Sequence, residues 1–263
     1  MAIDTTAARD LAAELQAARI ELRPVERITD RIAGFDEIDA YAVQDEGIIL
    51  RLAAGERVVG AKLGFTSVAM QRAMGVDSPN YGWLTDAMVL PDGTVPLASL
   101  IHPKVEPEIG FVLGRDLDGP AVTAADVMGS TTALVPCLEV VDSRYRRFEF
   151  RALDNIADDS SAGLVVAGAP LAIEPGVDLR TVGVVVTCDG ELAHTAAGAS
   201  VLEHPAAAVA WLARRLTAAG RGLEAGWLVI SGGLTGPVDL APGRDVRAEI
   251  DRIGNVELRC EEA

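Results

Sequence analysis

Two glutamates, Glu106 and Glu108, stand in the run His102-Pro-Lys-Val-Glu-Pro-Glu-Ile109, and a third, Glu139, in Leu138-Glu-Val-Val-Asp-Ser-Arg-Tyr145. Alternate side chains of an extended strand point the same way, so Glu106 and Glu108 share a face with Gly110 and Val112. Val105, Ile109, Phe111 and Leu113 line the opposite face. Carboxylates in so apolar a setting need a cation, an arginine or lysine, or water, because desolvating a lone charge is costly. Glu139 offers a third oxygen donor, and oxygen donors suit a hard ion such as Mg²⁺ or Mn²⁺. The plainer alternative is a strand with one solvated face.

Lysine is rare here. Of 23 basic residues, only Lys62 and Lys104 are lysines. A lysine kept where arginine is the default suggests work for a compact ammonium. Lys104 lies two residues from Glu106, and Lys62 lies in Gly60-Ala-Lys-Leu-Gly-Phe-Thr-Ser67. Arg144, Arg146, Arg147 and Arg151 form a basic cluster that could take a second substrate carboxylate or pair with Asp142 and Glu149. His102, His194 and His204 have no metal-ligand spacing; His102 could support the acidic strand or lie on the surface.

The elements that must position these groups follow from the pattern. A helix capped by Asp4 or Thr5 runs to about Leu22, before Pro24. A second starts near Asp36, with Ile38, Tyr41, Ala42, Ile48, Ile49 and Leu52 as its apolar face and Gly55 as its stop. Val58–Leu63 reads as a buried strand bearing Lys62. Thr66 or Ser67 caps a short helix ending at Gly75, whose free amides could seat a carboxylate or simply be capped. Asp77–Gly82 reads as loop. Val105–Leu113 is the acidic strand, its Pro107 implying an edge or bulge. A helix near Ala124–Met128 precedes the Leu134–Val141 strand. Val182–Cys188 is a strand ending in the hairpin signal Asp189-Gly190. Pro205–Ala219 is a helix, and Trp227–Ser231, Val246–Ile250 and Val256–Cys260 are strands. The order gives an α+β chain, with an N-terminal helical segment over 1–75 and a β-rich catalytic region over 76–263.

Composition narrows the function. A chain of 263 residues with 49% hydrophobic and 24% charged content can bury a full core. Its net charge of −16 disfavours nucleic acid and anionic membranes as partners. No apolar run approaches the roughly 20 residues of a membrane span, and no secretory pattern opens the chain, so the expected location is the cytoplasm. Cys137, Cys188 and Cys260 fit neither a zinc site nor a disulfide framework and are expected to be reduced and mostly buried. Phosphate-loop, dinucleotide-loop and nucleophile-elbow motifs are absent.

The three runs quoted above, with Ala157-Asp-Asp-Ser-Ser161 and Ser231-Gly-Gly-Leu-Thr235, resemble the fumarylacetoacetate hydrolase superfamily over nearly the whole chain. The closer likeness is to its 2-keto-4-pentenoate hydratase / 4-oxalocrotonate decarboxylase family. That resemblance implies a mixed β-roll of packed sheets and a divalent ion, usually Mg²⁺ or else Mn²⁺, on Glu106, Glu108 and Glu139. It implies Lys62 as the active-site lysine, and Gly64, Ser67, Ser161 and Thr235 as substrate-binding positions; Arg144 of the basic cluster is added to them as a substrate-binding candidate from its charge alone. Asp159 departs from the family's usual asparagine. Ser143–Phe150 and Asp178–Gly183 look like the decarboxylase branch, whereas Gly163-Leu164 is closer to the hydratases. Hydratases tend to carry an acid where this chain has Asn80, and an amide cannot do that proton transfer.

The activity implied is metal-dependent decarboxylation of a 2-oxo dicarboxylate, 2-oxo-3-hexenedioate, to 2-hydroxypenta-2,4-dienoate in meta-cleavage aromatic catabolism. One alternative is the hydratase acting on that dienoate. Another is a weakly active subunit that binds a partner. The resemblance also implies a homo-oligomer and a complex with the cognate hydratase.

Overall fold

The computed structural model describes residues 3–262; residues 1–2 and 263, at the outer ends of the two expected regions, lie outside it. In chain order the elements begin with helices α1 (Thr5–Glu21) and α2 (Glu37–Ala53), strand β1 (Val58–Gly64) and helix α3 (Val68–Met74). Strands β2 (Asn80–Thr85), β3 (Val89–Leu90), β4 (Thr94–Val95) and β5 (Lys104–Leu113) follow, then α4 (Ala124–Ser130) and β6 (Thr131–Val141). Next come α5 (Ala152–Ala157), β7 (Ala162–Ala167), β8 (Gly183–Cys188), β9 (Glu191–Ala197) and α6 (Pro205–Ala218). Strands β10 (Leu228–Ile230), β11 (Val238–Asp239), β12 (Asp245–Ile250) and β13 (Gly254–Cys260) close the chain.

The strands form two mixed sheets. The larger runs β2-β1-β10-β5-β6-β7-β3, with β11 also paired to β5, and the smaller runs β4-β13-β12-β8-β9. They meet where β6 and β7 pack on β12 and β13. Ile109, Phe111, Leu138, Val246, Ala248 and Leu258 belong to the core this encloses. The α+β reading therefore holds. β1, grouped with the N-terminal helices in the sequence reading, is an interior strand of the larger sheet between β2 and β10.

Local chemistry explains most boundaries. Asp4 accepts the Ala7 N–H at 2.8 Å at the start of α1, and Asp36 and Asp39 form a reciprocal capping box on α2. Asp189 and Gly190 both have positive φ, 51° and 81°, the two-residue turn that matches the twist of β8 and β9. The cysteines are free, Cys137 and Cys260 buried and Cys188 half-buried. No helix among the described residues is long and apolar enough to cross a membrane.

Three expectations need correction. The inward face of α2 is Ala40, Tyr41, Val43, Gln44, Ile48 and Arg51, whereas Ile38, Ile49 and Leu52 are exposed. Hydropathy misplaced that face because Gln44 and Arg51 are buried for their hydrogen bonds. Asp77–Gly82 is not all loop, since β2 starts at Asn80. Asn80 and Gly82 look like turn residues but serve close contacts described below. Finally, β5 is no edge strand: it lies between β10 and β6. The Pro107 carbonyl accepts from Leu234 N–H at 2.9 Å. Its missing N–H therefore faces the gap between β10 and β11, where no ladder bond is lost.

Candidate active site

The acids sit on neighbouring strands because of register. Glu106 and Glu108 alternate with Pro107 on β5, and Glu139 on β6 is the direct antiparallel partner of Glu106. One carboxylate oxygen from each lies within 4.8 Å of the others. Glu108 and Glu139 are 0% and 1% exposed. Glu108 Oε2 accepts the Gly232 N–H at 2.7 Å. Glu108 Oε1 and Glu139 Oε2 have no protein donor among the described residues. A Cβ on Gly233 would lie 2.4 Å from Glu106 Oε2, so the Gly-Gly pair lets the backbone close over the acids.

The electrostatics are severe. Burial and the Glu139 charge push Glu106 up to about 7, with Lys62 and Lys104 opposing. Glu108 is raised well above the usual carboxylate range by burial and by the neighbouring Glu139 carboxylate, with Lys62 opposing. Buried, mutually repelling oxygens without donors are the arrangement a divalent cation relieves. The donor set is all carboxylate, which fits a hard ion.

Lys62 projects from β1 with its Nζ 3.2 Å from Glu139 Oε1. It donates to the Ser160 carbonyl at 2.9 Å and to Ser160 Oγ at 3.3 Å. Burial alone would lower its pKa, but Glu139, Glu108 and Glu106 outweigh it and raise the value, so the ammonium stays charged. The seat for Lys62 is an unusual turn: Asp159, Ser160 and Ser161 have φ of 50°, 53° and 56°. Three consecutive non-glycine residues in the left-handed region cost of the order of 1 kcal/mol or more each, so the surroundings must hold them. Ser160 Oγ donates to Asn80 Oδ1 at 3.0 Å, Asn80 Nδ2 to Asn155 Oδ1 at 2.7 Å, and Asn155 Nδ2 to Ser161 Oγ at 2.9 Å. Gly82 lies so close that an added Cβ would be 2.3 Å from the Asp159 carbonyl oxygen.

Lys62, Gly64, Glu106, Asn155, Ser160 and Ser161 form the polar wall of a cavity of about 200 Å³. Phe65, Met70, Met74, Val141, Phe148, Phe150 and Pro237 form the apolar wall, and Lys104 joins the lining. Lys104 Nζ stands 3.2 Å from Asp239 Oδ1 and 5.4 Å from the Phe148 ring centre. The His102 ring lies beside Phe148, 5.2 Å between ring centres.

The remaining sequence-derived positions divide. Lys62, Gly64, Ser161 and the acids converge. Ser67 caps α3, accepting the Met70 N–H at 3.1 Å, and Thr235 donates to the Gly236 carbonyl at 2.9 Å; neither is in the cavity wall. Arg144 is not free to bind substrate. It is 4% exposed, pairs with Asp158, and donates to the Asp142 carbonyl and, at 3.0 Å, to that of Ala162. Arg146 and Arg151 pair instead with Glu26 and Asp30. Arg144→Met should therefore destabilise the protein by about 3–5 kcal/mol, by stranding buried Asp158, without a selective rise in KM. Urea unfolding beside Michaelis kinetics checks this; a purely KM effect would return Arg144 to the substrate. Sequence reasoning missed Ser160, Asn155 and the apolar wall. Ser160 adjoins the flagged Ser161, but only the left-handed turn turns its carbonyl toward Lys62.

With this geometry in view, comparison with known proteins is informative. The family model for the fumarylacetoacetate (FAA) hydrolase C-terminal region matches residues 58–260. The chain is 38% identical over 250 residues to the 4-oxalocrotonate decarboxylase of Pseudomonas sp. (strain CF600), covering 95% of each. It is 40% identical over 240 residues to the 2-keto-4-pentenoate hydratase of Paraburkholderia xenovorans (strain LB400), covering 91% of this chain and 89% of that one. Its structure matches that of the 4-oxalocrotonate decarboxylase from Pseudomonas putida G7 complexed with magnesium and adipate. The TM-score is 0.94 at 36% identity, over 98% of each chain.

Proposed function

This chain belongs to the fumarylacetoacetate hydrolase family, and from that premise we propose that it decarboxylates 2-oxo-3-hexenedioate to 2-hydroxypenta-2,4-dienoate. The observation that carries the choice is the neighbourhood of Lys62. Apart from the ligand candidate Glu139, the groups around its ammonium are amides and hydroxyls, Asn80, Asn155, Ser160 and Ser161, and among the described residues Glu106, another ligand candidate, is the only acid in the cavity wall. With Glu106, Glu108 and Glu139 committed to an ion, such a site can stabilise charge but leaves, among the described residues of the cavity wall, no further acid to deliver water and protons, as hydration requires. The magnesium and adipate named with the similar decarboxylase support the same reading, since adipate is a six-carbon dicarboxylate like the substrate.

Glu106, Glu108 and Glu139 would hold Mg²⁺ or Mn²⁺, which supplies Lewis-acid stabilisation of negative charge at the 2-oxo acid end. In the reaction the C5–C6 bond breaks, its electrons shift through C4 and C3 to the C2 oxygen, C6 leaves as CO₂, and the dienolate oxygen takes up one proton from water on release as the 2-hydroxy dienoate. Lys62, fixed by Glu139 and Ser160, faces that developing charge as a preorganised cation. Phe65, Met70, Met74, Phe148 and Phe150 exclude water from the departing carboxylate and favour neutral CO₂ over the ion. Gly64 and Ser161 are proposed to contact the substrate from the cavity wall, and Ser67 and Thr235 to support it from the segments at its border.

The same reading places the protein in the cytoplasm as a homo-oligomer. A complex with the hydratase that consumes its product is supported by the solvent-lability of a dienol. The test couples CO₂ release to ultraviolet absorbance with 2-oxo-3-hexenedioate and Mg²⁺. The expected result is CO₂ with dienol appearing. No CO₂, but loss of added dienol absorbance, would transfer the protein to the hydratases.

A further inference from the structure

A second cavity, of about 40 Å³, shares no wall residue with the catalytic one. It lies between α1, α2 and the end of α5, and Arg19, Gln44 and Asp159 are among its lining. Gln44 is 1% exposed and donates both amide hydrogens, to the Tyr81 and Ile156 carbonyls at 2.9 Å each. Flipping the amide would set its oxygen against two carbonyls, so the orientation is fixed. Its Oε1 is buried with no protein donor among the described residues. Asp159 is half-buried as a residue. Its Oδ1 accepts the Trp83 N–H at 2.8 Å, but its Oδ2 is fully buried and also lacks a protein donor among the described residues. Arg19 has hydrogens to spare: its Nε reaches Gln16 at 3.2 Å, while its nearest carboxylate, on Glu56, is 3.9 Å away.

Arg51 and Arg144 also line this cavity, but Arg51 is engaged by Glu56 and Thr85, and Arg144 by Asp158 and the Asp142 and Ala162 carbonyls. The two unpartnered buried acceptors and Arg19 then match the bonding capacity of one molecule. Water donates two hydrogens and accepts at least one, and buried waters make about three hydrogen bonds in spaces of roughly 10–15 Å³ or more. The cavity is too small for an organic ligand. We propose that it holds an ordered water donating to Gln44 Oε1 and Asp159 Oδ2 and accepting from Arg19, and that Asp159 and Gln44 are thereby positioning residues for Lys62.

The route to Lys62 is short. Asp159 is the first residue of the left-handed turn, and the next carbonyl, that of Ser160, takes the Lys62 hydrogen bond. The turn is held on one side by β2, through Trp83 N–H and the close approach to Gly82. The water would hold its other side to α1 and α2, so the N-terminal helices help to aim the catalytic ammonium. Burial raises Asp159 to about 7, and a donor at Oδ2 favours its charged form.

This inference rests on Lys62 being the catalytic group of the proposed reaction, so the experiment reads Lys62 separately from turnover. The chain has only two lysines, so selective ¹⁵N-lysine labelling of the whole protein gives one backbone amide resonance each for Lys62 and Lys104. Asp159→Ala should displace the Lys62 resonance, leave that of Lys104 in place, and lower kcat on the order of ten- to a hundred-fold. Asp159→Asn, which keeps a polar group at the cavity, should recover most of the rate. Arg19→Met, at a partly exposed site, serves as a second variant should Asp159→Ala not fold, and should also displace the Lys62 resonance. A crystal structure of the unaltered protein should show water within about 2.6–3.2 Å of both acceptors. An unmoved Lys62 resonance in the variants, or no ordered water there, would overturn the proposal. A displaced resonance in a protein without decarboxylase activity would uphold the positioning role and overturn only the reaction.

Discussion

Replacing Lys62 by methionine should slow CO₂ release from 2-oxo-3-hexenedioate by about 10²–10³-fold at saturating substrate, with the fold retained. Methionine matches much of the chain length and apolar stem, so what is removed is the buried ammonium. No neighbour can substitute. Lys104 is engaged by Asp239 and Phe148, and Arg144 is committed to Asp158. Lys62→Arg should rescue little, because the planar guanidinium needs space that Ser160 and Asn80 occupy beside Gly64. Initial rates with Mg²⁺, alongside circular dichroism to confirm folding, check the expectation. A methionine variant within tenfold of the unaltered enzyme would remove Lys62 from the chemistry.

The second large effect concerns metal withdrawal. Chelation should abolish turnover and also reverse the protein's response to pH. In the folded, metal-free protein Glu106 is raised from 4.5 to about 7 and Glu108 is also raised well above the usual carboxylate range, both chiefly by burial. Both bind protons more tightly folded than unfolded. Stability from these groups is therefore fully present below pH about 4.5 and falls as pH rises toward 7 and above. Metal binding requires the deprotonated acids, so its stabilising effect grows over the same range. Mg²⁺ at about a hundred times its dissociation constant should raise Tm by about 5–10 °C at pH 8 and by much less at pH 5. Glu108→Gln should raise the metal-free Tm at pH 8, by removing one repelling charge, and abolish the response to Mg²⁺. Calorimetry at several pH values, with and without Mg²⁺, measures both effects. A metal-free Tm that stays flat from pH 5 to 8 and ignores Mg²⁺ would mean that these acids are not ligands.

Much of this site could be read from residue order because its chemistry follows strand geometry. The two-residue period put Glu106 and Glu108 on one face, and a third acid in a second apolar strand is what antiparallel pairing brings opposite. Lys62 stood out because lysine is so rare in this chain. Arg144 shows where such reading fails. A basic cluster looks the same in sequence whether it faces a cavity or a buried aspartate, and only packing separated Arg144 from Lys104.

By itself, the sequence determined the α+β class, the helix caps, the hairpin at Asp189-Gly190 and the identity of the acids and the lysine. Each of these depends on residues close together in the chain or on a strict alternation. Tertiary structure alone decided that β5 is interior, with Pro107 opposite a gap in the ladder, and that α2 turns Gln44 and Arg51 inward in place of Ile38 and Ile49. It also decided that the Ser160 carbonyl aims Lys62. These outcomes turn on hydrogen bonds between residues 37 to 112 positions apart, such as those of Gln44 and Lys62, and on a left-handed turn that no local preference favours. Local propensity cannot encode such contacts, because their energy appears only once the sheets have brought the partners together.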